Sequence, residues 1–265
     1  MCIILLAYKS HPVYALVLAA NRDEFYGRPT ARADFWEDAP GLLAGRDLER
    51  GGTWLGVTRA GRLAAVTNFR EPGQRITGAP SRGLLVSDFL RSVEKPEAYL
   101  ERLSLGAGGY NGFNLIAADA QRLCYYSNRA GAPHDLAPGI YGVSNHLLDT
   151  PWPKVARGKQ ALAEILAATD APQPGDIFRL LADRSCADDS CLPDTGVGLE
   201  LERSLSPLFI ATPVYGTRSS TVVLLDREGR MTFIERTFKE GSDRWDETGY
   251  EFEIRRETDE SNSRR

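Results

Sequence analysis

The chain has 265 residues, with 32 Lys+Arg against 36 Asp+Glu for a formal net charge of −4, and 42% of its residues are hydrophobic. That balance belongs to a folded globular protein and excludes disordered, collagen-like and coiled-coil chains. No basic block supplies the cationic footprint of a nucleic-acid binder, and no apolar run approaches the ~20 residues of a membrane span. The length suits one domain, expected over residues 1–254, with a polar and frayed tail over 255–265.

The opening residues are apolar but do not form a secretory signal. No Lys or Arg precedes the first run, and Lys9-Ser10-His11-Pro12 interrupts it, whereas a signal needs positive charge and then one continuous apolar stretch. Strands joined by a turn fit better, over 2–7 and 13–20. Further strands are predicted over 53–58 and 62–67, either side of Arg59-Ala60-Gly61. A helix follows, with Ser81 at its cap and Leu85, Phe89 and Val93 at i, i+4 spacing, until Pro96 interrupts it. A second helical segment covers 97–103. Strands return over 113–118, 122–127 and 140–143. Helices are predicted over 155–168 and 176–181, and the last strands over 208–212, 219–226 and 231–237. Hairpin connections this short force antiparallel pairing, and nearly continuous apolar strands imply burial on both faces. The expectation is an α+β architecture of antiparallel sheets covered by helices. A cytoplasmic chain is expected, because Cys2, Cys124, Cys186 and Cys191 are too few and too scattered for a disulfide framework.

Cys2 carries the most chemistry. Aminopeptidases remove an initiator methionine when the next side chain is small, and cysteine qualifies. A thiol and a free α-amine on one residue form a self-contained nucleophile and base, since an α-amine has a pKa of about 7.7–8. The competing reading is a small buried residue that opens a core strand. Asn21-Arg22-Asp23-Glu24 follows the second predicted strand, and a hairpin returns it to the start of the first. There Arg22 would lower the thiol pKa and Asp23 would orient the amine; otherwise the four residues are a solvated turn. Asn68 and Asn145 stand at strand ends, where an amide N–H suits a developing oxyanion and an Asx-turn is the commoner use. Tyr215-Gly216-Thr217-Arg218-Ser219-Ser220-Thr221 offers hydroxyls and Arg218 as a polar wall for a substrate.

Other signals carry nothing. Leu192-Pro193-Asp194-Thr195-Gly196 matches a sorting pattern, but no apolar tail follows it. Residues 106–112 are glycine-rich but lead into a strand, so they form no phosphate loop. Cys186 and Cys191 lack a second ligand pair for zinc, and His11, His134 and His146 are isolated. No metal is expected.

Met1-Cys2, Asn21-Arg22-Asp23-Glu24, Gly51-Gly52-Thr53-Trp54-Leu55-Gly56, Thr67-Asn68-Phe69-Arg70, Ser81-Arg82-Gly83, Gly142-Val143-Ser144-Asn145 and the 215–221 segment occur in this order. Together they resemble the NRDE family, also called the transport and Golgi organisation 2 family. That family is similar to N-terminal-nucleophile hydrolases of the cholylglycine hydrolase and penicillin V acylase type, which implies a four-layer αββα sandwich of two antiparallel sheets. The resemblance implies Cys2 as nucleophile, Asn68 and Asn145 as the two asparagines and Arg218 as the late arginine. Arg22 and Asp23 correspond less directly, because those hydrolases carry Arg-Asn-x-Asp where this chain reads Asn-Arg-Asp-Glu. The implied activity is cleavage of a linear amide of a small, partly apolar substrate without a cofactor. The alternative is a non-enzymatic carrier of haem or lipid, since eukaryotic members are associated with secretory organisation, mitochondrial lipid metabolism and haem trafficking. The first prediction follows from Cys2. The intact mass of the purified protein is expected to correspond to a chain lacking Met1, and a fully retained Met1 from a host with normal aminopeptidase activity removes the thiol–amine pair.

Overall fold

In the computed structural model, which describes residues 2–239 and 244–255, consecutive residues of one strand enter different cores. One six-stranded antiparallel sheet runs β10 (Gly139–Val143), β1 (Cys2–Tyr8), β2 (Tyr14–Phe25), β11 (Tyr215–Asp226), β12 (Arg230–Phe238) and β13 (Trp245–Glu253). A seven-stranded antiparallel sheet runs in chain order through β3 (Thr30–Trp36), β4 (Ala39–Asp47), β5 (Leu55–Thr58), β6 (Leu63–Asn68), β7 (Phe113–Ala118), β8 (Leu123–Ser127) and β9 (His134–Asp135). Ile4, Leu6, Leu18 and Ala20 meet Leu43, Val57, Ala65 and Ile116 between the sheets. Ile3, Leu5, Val17 and Ala19 face outward onto α3 (Pro153–Ala168) and α4 (Pro174–Leu181). On the opposite side Leu42, Ala64, Val66 and Leu115 pack under α1 (Arg82–Arg91) and α2 (Pro96–Ser104). The result is the expected αββα layering, and burial on both faces accounts for the continuous apolar runs.

Several boundaries differ from the sequence reading. The second strand does not stop at residue 20 but continues to Phe25, so Asn21, Arg22 and Asp23 are buried in a paired strand rather than solvated in a turn. Their backbone groups are held on both sides, by β1 and β11, so polar side chains there do not end the strand. The 215–221 segment likewise belongs to β11. Residues 208–212 form no strand; only an isolated bridge between Ala211 and Gly216 remains. β3, β4 and β13 escaped prediction because charged residues interrupt their apolar pattern, as Arg32, Asp34 and Arg46 do. Val93 lies beyond the end of α1 and is 93% exposed, because the Ser92 N–H turns back to the carbonyls of Asp88 and Phe89 and closes the helix. Ser81 occupies the cap position of α1 without a capping hydrogen bond from its side chain. Apart from Arg255, the tail expected over 255–265 lies outside the described residues.

Two glycines let a loop cross the first turn of α1. A Cβ on Gly52 would stand 2.4 Å from the Gly83 carbonyl carbon, and one on Gly83 would stand 3.1 Å from the Thr53 oxygen. The Thr53 N–H donates to the Gly83 carbonyl at 3.1 Å and locks the crossing. Because backbone opposes backbone there, no side chain can swing aside. Gly52→Ala is expected to lower stability by about 1–3 kcal/mol, read as a lower denaturant midpoint. An unchanged midpoint would show that the crossing is loose.

Candidate active site

The register of three adjacent strands assembles the site. Cys2 on β1 lies opposite Arg22 on β2, and Asp23 lies opposite Thr217 on β11. By strand alternation Cys2 and Arg22 share the face between the sheets with Ile4 and Ala20. Their side chains open on a cavity of about 700 Å³, whose lining also includes Asp23, Trp54, Asn68 and Asn145. Cys2 is partly exposed there, and its carbonyl accepts a hydrogen bond from the Ser144 hydroxyl at 2.9 Å.

Arg22 is buried with its guanidinium 4.3 Å from the Trp54 ring centroid, 3.8 Å from the Glu24 carboxylate and donating to Thr30 Oγ1 at 3.4 Å. The planar guanidinium stacks where an ammonium would not, so the Gly-Gly-Thr-Trp loop positions the cation. Asp23 is buried and accepts from Thr217 Oγ1 at 2.7 Å, while its carbonyl accepts from the Tyr215 hydroxyl at 3.0 Å. Burial pushes the Asp23 carboxyl up, opposed by Lys154, the Thr217 hydrogen bond and Arg22. Burial also pushes the Cys2 thiol up. The Asp23 charge adds to that rise, whereas a hydrogen bond from the Asp23 backbone and the Arg22 charge oppose it. Arg22 therefore acts in the expected direction, but desolvation outweighs it.

The two asparagines play different geometrical parts. Asn68 ends β6 with its side chain on the cavity. Asn145 is fully buried and donates from Nδ2 to the Asn68 carbonyl at 2.8 Å, so it fixes the backbone that carries Asn68. The Arg70 N–H donates to the Asn145 carbonyl at 2.7 Å and completes the link. Buried polar groups anchor this junction further: Asn114 Nδ2 donates to Thr67 Oγ1 at 3.0 Å and to the His146 carbonyl at 2.9 Å. Arg218 stands apart from the expected wall. A register irregularity separates Thr217 from Ser219, and Arg218 Nη1 donates to the carbonyls of Phe25, Tyr26 and Arg28 at 2.9–3.1 Å. It is absent from the cavity lining and braces the 25–28 turn instead.

Sequence reasoning missed four charged groups around this centre. Lys154, the second residue of α3, is 2% exposed. It shares the buried face of α3 with Gly158, Leu162 and Leu166 at four-residue spacing, and a lysine in that apolar phase was the available signal. Glu202, on the short helix α5 (Leu199–Ser204), forms a buried ion pair with Arg70, whose guanidinium stacks 4.6 Å from Trp152. Arg82 lines the cavity and donates to the Gly112 carbonyl at 2.9 Å. Glu235, buried on β12, accepts from the Ala33 N–H of the other sheet at 2.8 Å, and burial pushes its carboxyl up.

Two antiparallel sheets packed face to face and covered by helices have the fold of the N-terminal-nucleophile hydrolases. A C2A mutant of conjugated bile acid hydrolase from Clostridium perfringens superposes with a TM-score of 0.52 at 9% identity, covering 94% of this chain and 92% of that one. The model of the Transport and Golgi organisation 2 family matches residues 1–240. The Transport and Golgi organization protein 2 homolog of Bos taurus is 43% identical, over 96% of this chain and 99% of its own length. The homolog of Homo sapiens is 39% identical over the same shares. The chain belongs to the Transport and Golgi organisation 2 family. No helix among the described residues is long and apolar enough to cross a membrane.

Exposure and burial order the thiols. Cys186 and Cys191 are exposed, Cys2 is partly exposed with a raised thiol, and Cys124 is buried beside Asp135, where its thiol is raised as well. Brief alkylation at pH 7 is expected to label Cys186 and Cys191 first, Cys2 next and Cys124 last. Cys2 alkylation should still be accelerating above pH 9, because its folded-state thiol ionises above the ordinary range. A plateau below pH 8 would contradict that electrostatic picture.

Proposed function

We propose that the chain is an N-terminal cysteine amidohydrolase that cleaves a linear, non-peptide amide of a small, partly apolar molecule. The observation that supports this most is the convergence of Cys2, Arg22, Asp23, Asn68 and Asn145 on the lining of one cavity. After removal of Met1, the Cys2 α-amine takes the thiol proton and the sulfur bonds to the amide carbon. The carbonyl oxygen becomes an oxyanion facing the Asn68 amide. Collapse breaks the C–N bond, and the amine leaves with the proton returned by the α-amine. Water then cleaves the thioester, releasing the acid and the free thiol. Arg22 favours the thiolate and Asp23 orients the α-amine, while Phe25, Val66 and Phe69 supply apolar lining for the acyl part.

One observation favours a second reading, the carrier of haem or a lipid. A thiol that burial holds protonated suits a cleft that only binds. No histidine appears among the cavity-lining residues, so haem would need Cys2 as its axial ligand. Because that ligand is a thiolate, haem would have to displace the proton that burial favours; the protonated thiol therefore suits a lipid better than haem. A panel of N-acyl amides separates the readings. Hydrolysis of at least one member is expected, with Cys2→Ala inactive but still binding. Asn68→Ala should fall by roughly 10²–10³ in kcat, as for a lost oxyanion donor. A silent panel together with saturable one-to-one hemin binding, whose Soret band changes in Cys2→Ala, favours the carrier.

A further inference from the structure

Lys154 is a buried charged group that the hydrolytic scheme leaves unused. It is 2% exposed, and its Nζ finds no hydrogen-bond partner among the described residues. An ammonium in that position is a liability, because a buried charge without hydrogen bonds is destabilising and an apolar side chain of similar volume is commonly as good or better. The helix around it has no need of a cation. Lys154 occupies the first turn, where the helix dipole disfavours positive charge, and its neighbours on the same face are Gly158 and Leu162. Apolar packing beside it is already supplied by Trp152 and Val155.

The surroundings explain the lysine better than the helix does. α3 packs against β1, the strand that begins with Cys2, and against β10. Charged and titratable groups interact with the ammonium from several elements: Cys2 from β1, Asp23 from β2, Arg70 from the loop after β6 and Glu202 from α5. Arg70 and Glu202 form an ion pair with each other. The remaining acidic groups facing Lys154 are Asp23 and the Cys2 thiol. Burial brings the ammonium down to about 8, so it is charged at neutral pH and loses its proton just above it.

We propose that Lys154 is a positioning residue whose buried charge stabilises the Cys2 thiolate and keeps Asp23 ionised. It touches no substrate and acts through these two groups. The proposal rests on the reading of Cys2 as nucleophile, but it is tested on the thiol itself, so a failure of amide turnover does not decide it.

The experiment compares iodoacetamide labelling of Cys2, by peptide mapping, in the wild-type chain and in Lys154→Met, both with the same N-terminus by intact mass. At pH 7 the variant is expected to label about tenfold more slowly, the effect of one pH unit in thiol ionisation. The sign follows from charge, since losing a nearby cation raises the thiol pKa and lowers the thiolate fraction. The ratio is expected to narrow as pH rises past about 8, where wild-type Lys154 itself becomes neutral. Thermal unfolding of the variant is used only to show that it is folded, because the substitution removes one buried charge and also the cation that compensates Asp23. If Lys154→Met does not fold, Lys154→Gln carries the same expectation for labelling. A ratio near one at pH 7 overturns the proposal. So does a tenfold ratio that persists unchanged to pH 10, because altered access to the sulfur, and not charge, would then be the cause.

Discussion

Everything at the site depends on the register of β1 against β2 and of β2 against β11. Side chains alternate along a strand, so a slip of one residue would turn Cys2 and Arg22 away from the cavity and bring Ile3 and Asn21 in their place. The apolar halves of the same strands prevent that slip. Leu5, Val17 and Val222 face the α3–α4 layer while Leu6, Leu18 and Val223 fill the space between the sheets. Moving any of these strands by one position would carry a full set of side chains from one core to the other. The hydrophobic pattern therefore aligns the polar ends as well, and the site inherits its geometry from the core.

Buried charge gathers around those polar ends from the strands and from the helices beside them. Arg22, Asp23, Lys154, Glu202 and Glu235 are all at most 6% exposed. Ion pairs in such places stabilise little, since desolvation offsets the Coulomb attraction. Glu235 does hold the two sheets together through the Ala33 N–H, and Glu202 also binds the Thr195 backbone N–H at 3.0 Å. Asp23 and Lys154 have no comparable bridging role between the sheets. Groups whose protonation is shifted by burial, gathered around a cleft, are where chemistry is expected.

The sequence disclosed the layers and most strands because both follow from apolar pattern, which burial enforces directly. Short motifs singled out Cys2, Arg22, Asp23, Asn68 and Asn145, and the fold brings these five onto the lining of one cavity. At Asn21–Glu24 the hairpin reading agrees with the register, whereas the strand end at residue 20 and the solvated-turn alternative fail for a physical reason. Local polarity argues for a turn, but a strand in the middle of a sheet can bury polar side chains when the facing groups satisfy them, as Leu181 and Leu208 do for Asn21 at 2.8 and 2.9 Å. Arg218 misled for a related reason. A motif fixes which residue is present, whereas the adjacent strand irregularity decides where it points. Glu202 was invisible, because its role exists only through a contact with Arg70 that is 132 residues distant in sequence.

The raised Cys2 thiol appears at first to oppose a nucleophilic role, yet it fits one kind of mechanism well. Intrinsic nucleophilicity of a thiolate rises with its pKa, so a sulfur that ionises late attacks harder once the proton is gone. Such a site rests as the thiol, which resists adventitious oxidation, since susceptibility follows thiolate character and exposure. The requirement is then a base close enough to remove the proton during attack and a charge that favours the thiolate at that moment. Arg22 at the register position opposite Cys2 meets the second need from the cavity side. A buried ammonium on α3 meets it from the helix side without occupying space that a substrate requires. On the proposed reading the two cations act on the thiolate from different elements, Arg22 from β2 and Lys154 from α3, as fixed charges that need no rearrangement when a substrate arrives.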